Sequence, residues 1–235
     1  SLLHARLLNI RGGARVKLEL IPQMDADIVL VTELDLAEHA VFDVQTTLRQ
    51  AGWDIHFGCP VNISKDSAKF HGRRVAIAFR DVYDLQVTDD DGDPDRDMLW
   101  KSGRWVEVFA PTGGGDTSAF FCVTYGYAGQ ANLSTTRAAN ERLLAAALAR
   151  VSCCNDSPYF ATMDANTSID GSDVLTSMVS ASLVIDVLAD RALGPAPPPP
   201  TFQRGGVNDD EEGVDSGTSR IDYVFANYAG NACVR

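Results

Sequence analysis

Apolar residues fall into short runs that alternate with segments of helical period, and this alternation predicts a layered α/β fold. Short runs rich in β-branched residues predict strands. The predicted strands are residues 5–10, 27–34, 53–57, 73–79, 104–109, 118–125, 158–166 and 182–188. Leu144, Leu148 and Val151 form a helical stripe, which predicts a long helix over about residues 135–151.

A second helix is predicted directly after the second strand. Asp35, followed by Glu38 three residues later, matches the pattern of a helix N-terminal capping box. Gly52 is placed to end the helix. The residues that share its apolar face are Leu36, Val41, Val44 and Leu48.

The segment 194–219 is rich in Pro, Gly and acidic residues and has the composition of a linker. Only 16 residues follow it, and they include the strand-like run RIDYVFA. Because 16 residues cannot form a domain, this strand is expected to return to the main sheet. The sequence therefore predicts one mixed α/β domain over residues 1–235, with 194–219 as a long internal loop.

Composition excludes several classes of protein. The chain has 235 residues, of which 45% are hydrophobic and 22% charged, which is ordinary globular composition rather than that of a disordered or coiled-coil chain. Five cysteines without a C-x-x-C pair support neither a disulfide framework nor a zinc site. No apolar run is long enough for a membrane span, and no signal peptide is visible. We therefore expect a nuclear or cytoplasmic protein that is not secreted, and a chain that begins with Ser is expected to be part of a longer one.

The formal net charge is −12, which argues mildly against strong non-specific binding of nucleic acid. The charge is uneven, however. Between Lys65 and Arg80 the balance is positive. Net charge therefore leaves the partner open.

Polar residues stand at the ends of several predicted strands, where a layered fold exposes side chains at its rim. They are Asn9, Glu33, Asp164, Asn166 and Asp222. Carboxylates and amides without a histidine or cysteine cluster suit a hard cation such as Mg²⁺. Each residue alone also has a plainer interpretation, since Asn and Asp commonly form turns and Glu33 could cap the following helix.

Taken in order, these segments resemble the endonuclease/exonuclease/phosphatase superfamily, metal-dependent phosphodiesterases with the DNase I fold. The resemblance spans residues 5–227 and lies in six ordered motifs. These are LLNIRG, ADIVLVTEL, GRRVAIAFR, FFCVTYGYAGQ, TMDAN and PTF…SRIDYVFAN. It implies a four-layer sandwich of two mixed β-sheets flanked by helices.

The resemblance also implies roles for individual residues. Glu33 would hold Mg²⁺ or Mn²⁺ with help from Asn9, and Asp164 would position or activate water. Asn166 and Tyr127 would bind phosphate oxygens, and Asp222 would orient a terminal His. The resemblance adds Thr201 and Ser219 as substrate-binding candidates. Independently of the resemblance, Arg73 and Arg74 in the positive stretch could bind DNA phosphates, or they could form a solvated strand edge.

Some motifs depart from the superfamily pattern. The family ends its site with Ser-Asp-His beyond the strand that matches RIDYVFA, whereas the four histidines here all lie in the first third of the chain. This predicts a domain truncated at its C-terminus that cuts poorly as it stands.

Within the superfamily, the chain looks closest to endonuclease domains of LINE-type retrotransposons. The features that carry this likeness are NIRG, the YA after the middle strand and the Ser before RIDY. That implies an enzyme that nicks DNA, as part of a larger polyprotein with a reverse transcriptase. One alternative is a superfamily phosphoesterase acting on RNA, an inositol phosphate or a lipid headgroup. The other is a non-catalytic descendant that binds nucleic acid or protein.

Overall fold

The computed structural model describes residues 3–10, 14–65, 68–88, 92–111, 118–128, 134–154, 156–191, 202–203, 218–219 and 221–234. The first eight strands are β1 (Ala5–Asn9), β2 (Ile28–Thr32), β3 (Leu36–Ala37), β4 (Trp53–Phe57), β5 (Val61–Lys65), β6 (Ala68–Arg73), β7 (Ala76–Arg80) and β8 (Gln86–Val87). The others are β9 (Trp105–Pro111), β10 (Ser118–Tyr125), β11 (Tyr159–Asp164), β12 (Ile185–Asp186), β13 (Phe202–Gln203), β14 (Thr218–Ser219) and β15 (Asp222–Ala226).

Helices connect these strands and cover the sheets. They are α1 (Ala14–Leu18), α2 (Val41–Gln50), α3 (Pro94–Lys101), α4 (Ser134–Cys153), α5 (Asp173–Ser180), α6 (Val187–Asp190) and α7 (Tyr228–Cys233). Within the described part of the chain, no helix combines the length and apolar character needed to cross a membrane.

Two mixed sheets form the centre of the molecule. One has the strand order β1-β2-β7-β4, and the other β12-β15-β11-β10-β9-β8. Parallel pairing of β1 with β2 places Asn9 beside Thr32, and parallel pairing of β10 with β11 places Tyr125 beside Asp164. Since parallel strands end at the same edge of a sheet, each sheet presents two carboxyl strand ends side by side.

The two sheets pack face to face through a continuous apolar core. Its residues include Ile28, Leu30, Ile77 and Phe79 from one sheet and Val106, Val108, Phe121 and Val123 from the other. Burying a side chain of this size stabilises the fold by about 1.5–3 kcal/mol. Separating the sheets would therefore expose many such residues at once.

Helices bury the outer face of each sheet. Leu18 of α1 and Leu48 of α2 pack into the outer core of the four-stranded sheet. Leu144 of α4 and Leu175 of α5 pack into that of the six-stranded sheet. The order helix, sheet, sheet, helix confirms the predicted four-layer sandwich.

The helix predicted from Asp35 begins later than expected, at Val41. Leu36 and Ala37 pair instead with β6, and the Glu38 carboxylate binds the Arg73 guanidinium at 2.7 Å through both oxygens. The capping-box prediction was therefore wrong, because strand pairing and an ion pair occupy these residues.

The strand predicted over residues 182–188 is also wrong at both of its ends, because residues 182–184 form a turn and a helix begins at Val187. Only Ile185 and Asp186 pair with β15. Asp186 then caps α6 by accepting a hydrogen bond from the Ala189 backbone N–H at 3.4 Å. An apolar run of this length does not distinguish a short strand from a strand followed by a helix.

The long loop predicted over residues 194–219 lies mostly outside the described residues. Its described parts, β13 and β14, pair antiparallel with Phe202 beside Ser219. Beyond it, β15 lies between β12 and β11 in the six-stranded sheet. The domain bounds stay a prediction.

Candidate active site

Four of the predicted site residues lie at strand ends, two in each sheet. Asn9 is the last residue of β1, and Glu33 directly follows β2. Asp164 is the last residue of β11 and pairs across the ladder with Asp222, the first residue of β15. They are therefore placed by the regular part of the fold.

The Asn9 amide joins the two sheets at this rim. Its Nδ2 donates to Glu33 Oε1 at 2.9 Å and to Asp164 Oδ2 at 3.0 Å. Asp164 is fully buried, and Glu33 is half-buried. One side chain thus holds two carboxylates, separated by 131 residues of sequence, within reach of a single nitrogen.

Glu33 adopts a backbone conformation that is uncommon for its residue type. Its φ is +51°, in the left-handed region, and that of Asp35 is +41°. Such a conformation costs about 1–3 kcal/mol and persists only where the surroundings enforce it. Here the intervening Leu34 is fully buried, and its N–H donates to the Arg74 carbonyl at 2.9 Å. The strained turn directs Glu33 to Asn9 rather than to the start of α2, which excludes the capping interpretation.

The predicted strand 158–166 includes Asn166, but β11 ends at Asp164 and Asn166 is not extended. Its φ is +53°. Its backbone N–H donates to Asp164 Oδ1 at 3.2 Å, and its Nδ2 donates to the Gly126 carbonyl at 3.0 Å. The turn therefore orients the Asp164 carboxylate and ties β11 to the end of β10.

Gly126 is required where these two strand ends meet. Its N–H donates to the Asp164 carbonyl at 2.7 Å. A Cβ at this position would lie 2.4 Å from the Ala165 carbonyl oxygen, which is a backbone atom that cannot rotate away. Buried Asn140 of α4 closes the same junction, accepting from the Tyr127 N–H at 2.7 Å and donating to the Ala165 carbonyl at 3.1 Å.

Arg104 and Tyr125 lie next to these strand ends, and neither was predicted from the sequence as a site residue. The Arg104 guanidinium carbon lies 4.0 Å from the ring centre of Tyr127 and 4.8 Å from that of Tyr125. Burial, followed by the charges of Glu33 and Asp164, raises the pKa of Tyr125 to about 12 against the opposing effect of Arg104. Tyr125 therefore remains a hydrogen-bond donor at neutral and moderately alkaline pH.

The predicted substrate-binding residues differ in their surroundings. Arg73 forms its ion pair with Glu38 and donates to the Gly58 carbonyl at 2.7 Å. Arg74 is half-buried, and its charge acts on Arg104. Thr201 lies outside the described residues, and Ser219 is described only through its backbone in β14.

The rim offers oxygen donors of the kind that hard cations prefer. Beside the two carboxylates, Asn9 Oδ1 is buried, and no hydrogen bond to it is found within the described residues. A buried oxygen in this situation fits a cation ligand. No group of three His, Cys, Asp or Glu side chains with the arrangement of a metal site is found in the described ranges. The donor set therefore fits a hard cation held by the Glu33 carboxylate and the Asn9 amide oxygen, with the Asp164 carboxylate close by.

Comparison with known proteins identifies the architecture. No protein-family model matches the sequence, and no curated protein matches it. Among solved structures, an AP endonuclease from Archaeoglobus fulgidus matches with a TM-score of 0.60 and 16% identity over 95% of this chain and 86% of that one. The chain has the DNase I-like fold.

Two further structures with the DNase I-like fold are similar over nearly the whole chain. An endonuclease/exonuclease/phosphatase from Beutenbergia cavernae has a TM-score of 0.60 and 17% identity, covering 97% of this chain and 64% of that one. The endonuclease domain of TRAS1, a telomere-specific non-LTR retrotransposon, has a TM-score of 0.53 and 16% identity, covering 96% and 85%. The resemblance recognised from the motifs is therefore confirmed at the level of the fold.

Proposed function

We propose that the chain is a metal-dependent phosphodiesterase that nicks DNA, similar in kind to the endonuclease domain of a retrotransposon. The observation that carries this proposal is the Asn9 bridge between Glu33 and Asp164. It gathers acidic oxygens from both sheets at one point. Solved structures with the same fold, titled as an AP endonuclease and a retrotransposon endonuclease domain, support the choice of DNA as substrate.

Glu33 and Asn9 would hold Mg²⁺ or Mn²⁺, because they offer a half-buried carboxylate and a buried amide oxygen. When bound, such an ion neutralises phosphate charge and lowers the pKa of water. Two carboxylates close together repel each other, so this part of the site favours a cation.

The chain's own groups account for the rest of the chemistry. Asp164, fully buried and oriented by the Asn166 N–H, would accept a proton from the attacking water or orient it. Tyr125, which pairs with Asp164 at the strand ends, would donate a hydrogen bond to a phosphate oxygen, and its raised pKa keeps the phenol protonated in alkaline solution as well. Asn166 and Tyr127 remain proposed phosphate ligands, and Asp222 stands opposite Asp164 to orient a further group.

The proposed partner is DNA, with half-buried Arg74 as a candidate contact for its phosphates. The proposed context is a larger intracellular polyprotein that carries a reverse transcriptase. The net charge of −12 favours the second candidate, a smaller phosphoester substrate, because a negative surface repels a long polyanion.

Conversion of supercoiled plasmid to the open-circular form tests the proposal. A single nick relaxes a whole plasmid, so the assay detects slow enzymes. We expect nicking with Mg²⁺ or Mn²⁺, none with EDTA, and a rate at least about 10²-fold lower for Asp164→Asn, which loses its proton acceptor. The matched control is Asp43→Asn, an exposed acid on α2, which should nick within about twofold of wild type.

Three outcomes would contradict the proposal in different ways. Nicking that is unchanged in Asp164→Asn would point to a contaminant. Hydrolysis of bis(4-nitrophenyl) phosphate without plasmid nicking would favour the small-phosphoester candidate. Hydrolysis of neither substrate would favour a non-catalytic binding protein.

A further inference from the structure

Arg104 is a buried cation at the candidate site. It directly precedes β9 and is 9% exposed. Burial, followed by the nearby charge of Arg74, lowers the pKa of the Arg104 guanidinium. Burying a charge is costly unless hydrogen bonds and charges compensate it. The fold therefore holds this side chain in place against a desolvation cost.

The contacts of Arg104 converge on one short segment of chain. Its Nη1 donates to the Tyr125 carbonyl at 3.2 Å and to the Gly126 carbonyl at 2.7 Å. Its guanidinium also stacks near the rings of Tyr125 and Tyr127. Arg104 thus holds Tyr125 at both its backbone and its ring.

Tyr125 is the tyrosine that lies beside an acidic residue of the site. It pairs with Asp164 in the parallel β10–β11 ladder, and residues paired in this way place their side chains on the same face of the sheet. The orientation of its phenol therefore matters for any phosphate bound at the rim.

A lysine could not reproduce the contacts of Arg104. A guanidinium is planar, donates in several fixed directions and stacks on aromatic rings, whereas an ammonium is a compact point charge. Arg104 uses both properties. Its Nη1 donates to two backbone carbonyls, and its guanidinium lies near the rings of Tyr125 and Tyr127. A residue needed only for its charge would not require this arrangement.

We propose that Arg104 is a positioning residue, which fixes the phenol of Tyr125 beside Asp164 so that it donates to the substrate phosphate. Tyr127 supplies the second ring that holds the guanidinium. This inference rests on the proposed phosphodiesterase function. It adds a residue that acts through Tyr125 rather than on the substrate.

A double-mutant cycle between Arg104→Lys and Tyr125→Phe tests the proposal. With Tyr125 present, Arg104→Lys should lower kcat by about 10²-fold, because displacing a positioned group such as the phenol by about 1 Å can cost that much. KM should change by less than about threefold, since the phenol contributes mainly when charge develops on the phosphate. In the Tyr125→Phe background, Arg104→Lys should lower kcat by less than about threefold, because the group it positions is absent.

The control is Arg80→Lys. Arg80 makes the same kinds of contact at the far end of β7, with its guanidinium carbon 5.0 Å from the Trp53 ring centre and a hydrogen bond to the Ala26 carbonyl at 3.2 Å. It should leave kcat within about twofold of wild type. Equal loss of kcat from Arg104→Lys in both Tyr125 backgrounds would overturn the proposal and make Arg104 a general structural support.

A second measurement separates this inference from the nuclease proposal. In protein with ¹³C-labelled tyrosine, the Tyr125 ring signal, assigned through Tyr125→Phe, should shift and broaden in Arg104→Lys but not in Arg80→Lys. This holds even if no substrate is cut. An unchanged ring signal would overturn positioning by Arg104 whatever the activity. If neither Arg104→Lys nor Arg104→Gln folds, the residue is a requirement of the fold and the proposal also fails.

Discussion

Glu107 and the pair Glu33–Asp164 are buried or half-buried acids that receive hydrogen bonds from different kinds of donor. Glu107 of β9 is 1% exposed and accepts from the Arg150 guanidinium at 2.8 and 3.0 Å. Thr88 at 3.0 Å and the Tyr159 hydroxyl donate to it as well. Its charge is therefore matched by a cation and two hydroxyls.

Glu33 and Asp164 are instead brought together by a neutral group. The Asn9 amide donates to both, and a backbone N–H from Asn166 donates to Asp164. A neutral amide of this kind orients the two carboxylates toward one point. An arginine therefore fixes Glu107 within the core, whereas an amide brings acids from both sheets together at the rim, where a cation ligand set is proposed.

The pKa shifts around Glu107 agree with a structural role. Burial alone would lower the pKa of Arg150, but the hydrogen bonds and charge of Glu107 raise it above its usual value. Burial, followed by the neighbouring Cys122 and Glu107, also raises the pKa of Tyr159 well above its usual value. Both shifts keep the hydrogen-bonded network in one protonation state over the physiological range.

The largest expected effect comes from breaking the compensated cluster. Arg150→Met should lower the free energy of unfolding by about 3–5 kcal/mol, because it leaves the buried Glu107 charge without its guanidinium. For a chain of this size that corresponds to a fall in Tm of about 10 °C. Thermal denaturation followed by circular dichroism measures it.

Arg142→Met is the control, because Arg142 is exposed on the same helix. It should change stability by less than about 0.5 kcal/mol. A similar small loss for Arg150→Met would contradict the view that Glu107 depends on this ion pair.

The second expected effect tests the junction that supports the site. Gly126→Ala should cost about 1–3 kcal/mol, because the new methyl group would overlap the Ala165 carbonyl. It should also reduce plasmid nicking more than Gly52→Ala does. Gly52 has a left-handed φ of +76° but open space around it, so its alanine variant reports backbone strain without overlap. Equal stability and activity in the two variants would show that the overlap is relieved without moving the strand ends.

The third effect compares the metal response of the two acidic regions. Millimolar Mg²⁺ or Mn²⁺ should raise the Tm of wild type by linkage to binding, equivalent to about 1–3 kcal/mol. Glu33→Gln should lose most of that gain, because it keeps the shape but not the charge. Glu107→Gln should be less stable without metal yet keep the gain, because its surroundings contain Arg150 already. A metal response that survives in Glu33→Gln would contradict the assignment of Glu33 as a ligand.

The smallest effect concerns thiol reactivity beside the compensated cluster. Burial, followed by the charge of Glu107, raises the pKa of Cys122 to about 12. The thiol should therefore stay protonated below about pH 12, and iodoacetamide at pH 8–9 should spare it in the folded protein. Cys153 and Cys233 are exposed and should be alkylated, as mass spectrometry of tryptic peptides would show. Rapid labelling of Cys122 would indicate that this core opens more readily than its packing suggests.

The main strands and the acidic strand ends could be predicted because each has a local signal. Runs such as residues 118–125 are apolar and β-branched, and they match β10 as observed. The order of the motifs then identified Asn9, Glu33 and Asp164 as residues of one site. These residues meet at the rim because β1 runs parallel to β2 and β10 runs parallel to β11, so that the strands of each pair end at the same edge.

The supporting residues could not be predicted, because their roles depend on distant partners. Arg104 and Asn140 look like ordinary polar residues until β10 and β11 are brought beside them. Likewise, the helix predicted from Asp35 depends on a capping pattern that the ion pair between Glu38 and Arg73 overrides. Local propensity is a weak prior wherever tertiary contacts compete for the same side chain.

Asn9 and Glu33 come from one sheet and Asp164 from the other, so the geometry of the candidate site depends on how the two sheets pack against each other. Neither sheet carries a complete set of donors. Any opening that slides one sheet past the other by the length of a hydrogen bond would dismantle the site before either sheet lost its own ladder. In a denaturant titration, the proposed activity would then be lost at a lower denaturant concentration than the secondary structure. The difference between the two midpoints would measure the stability of the packing between the sheets.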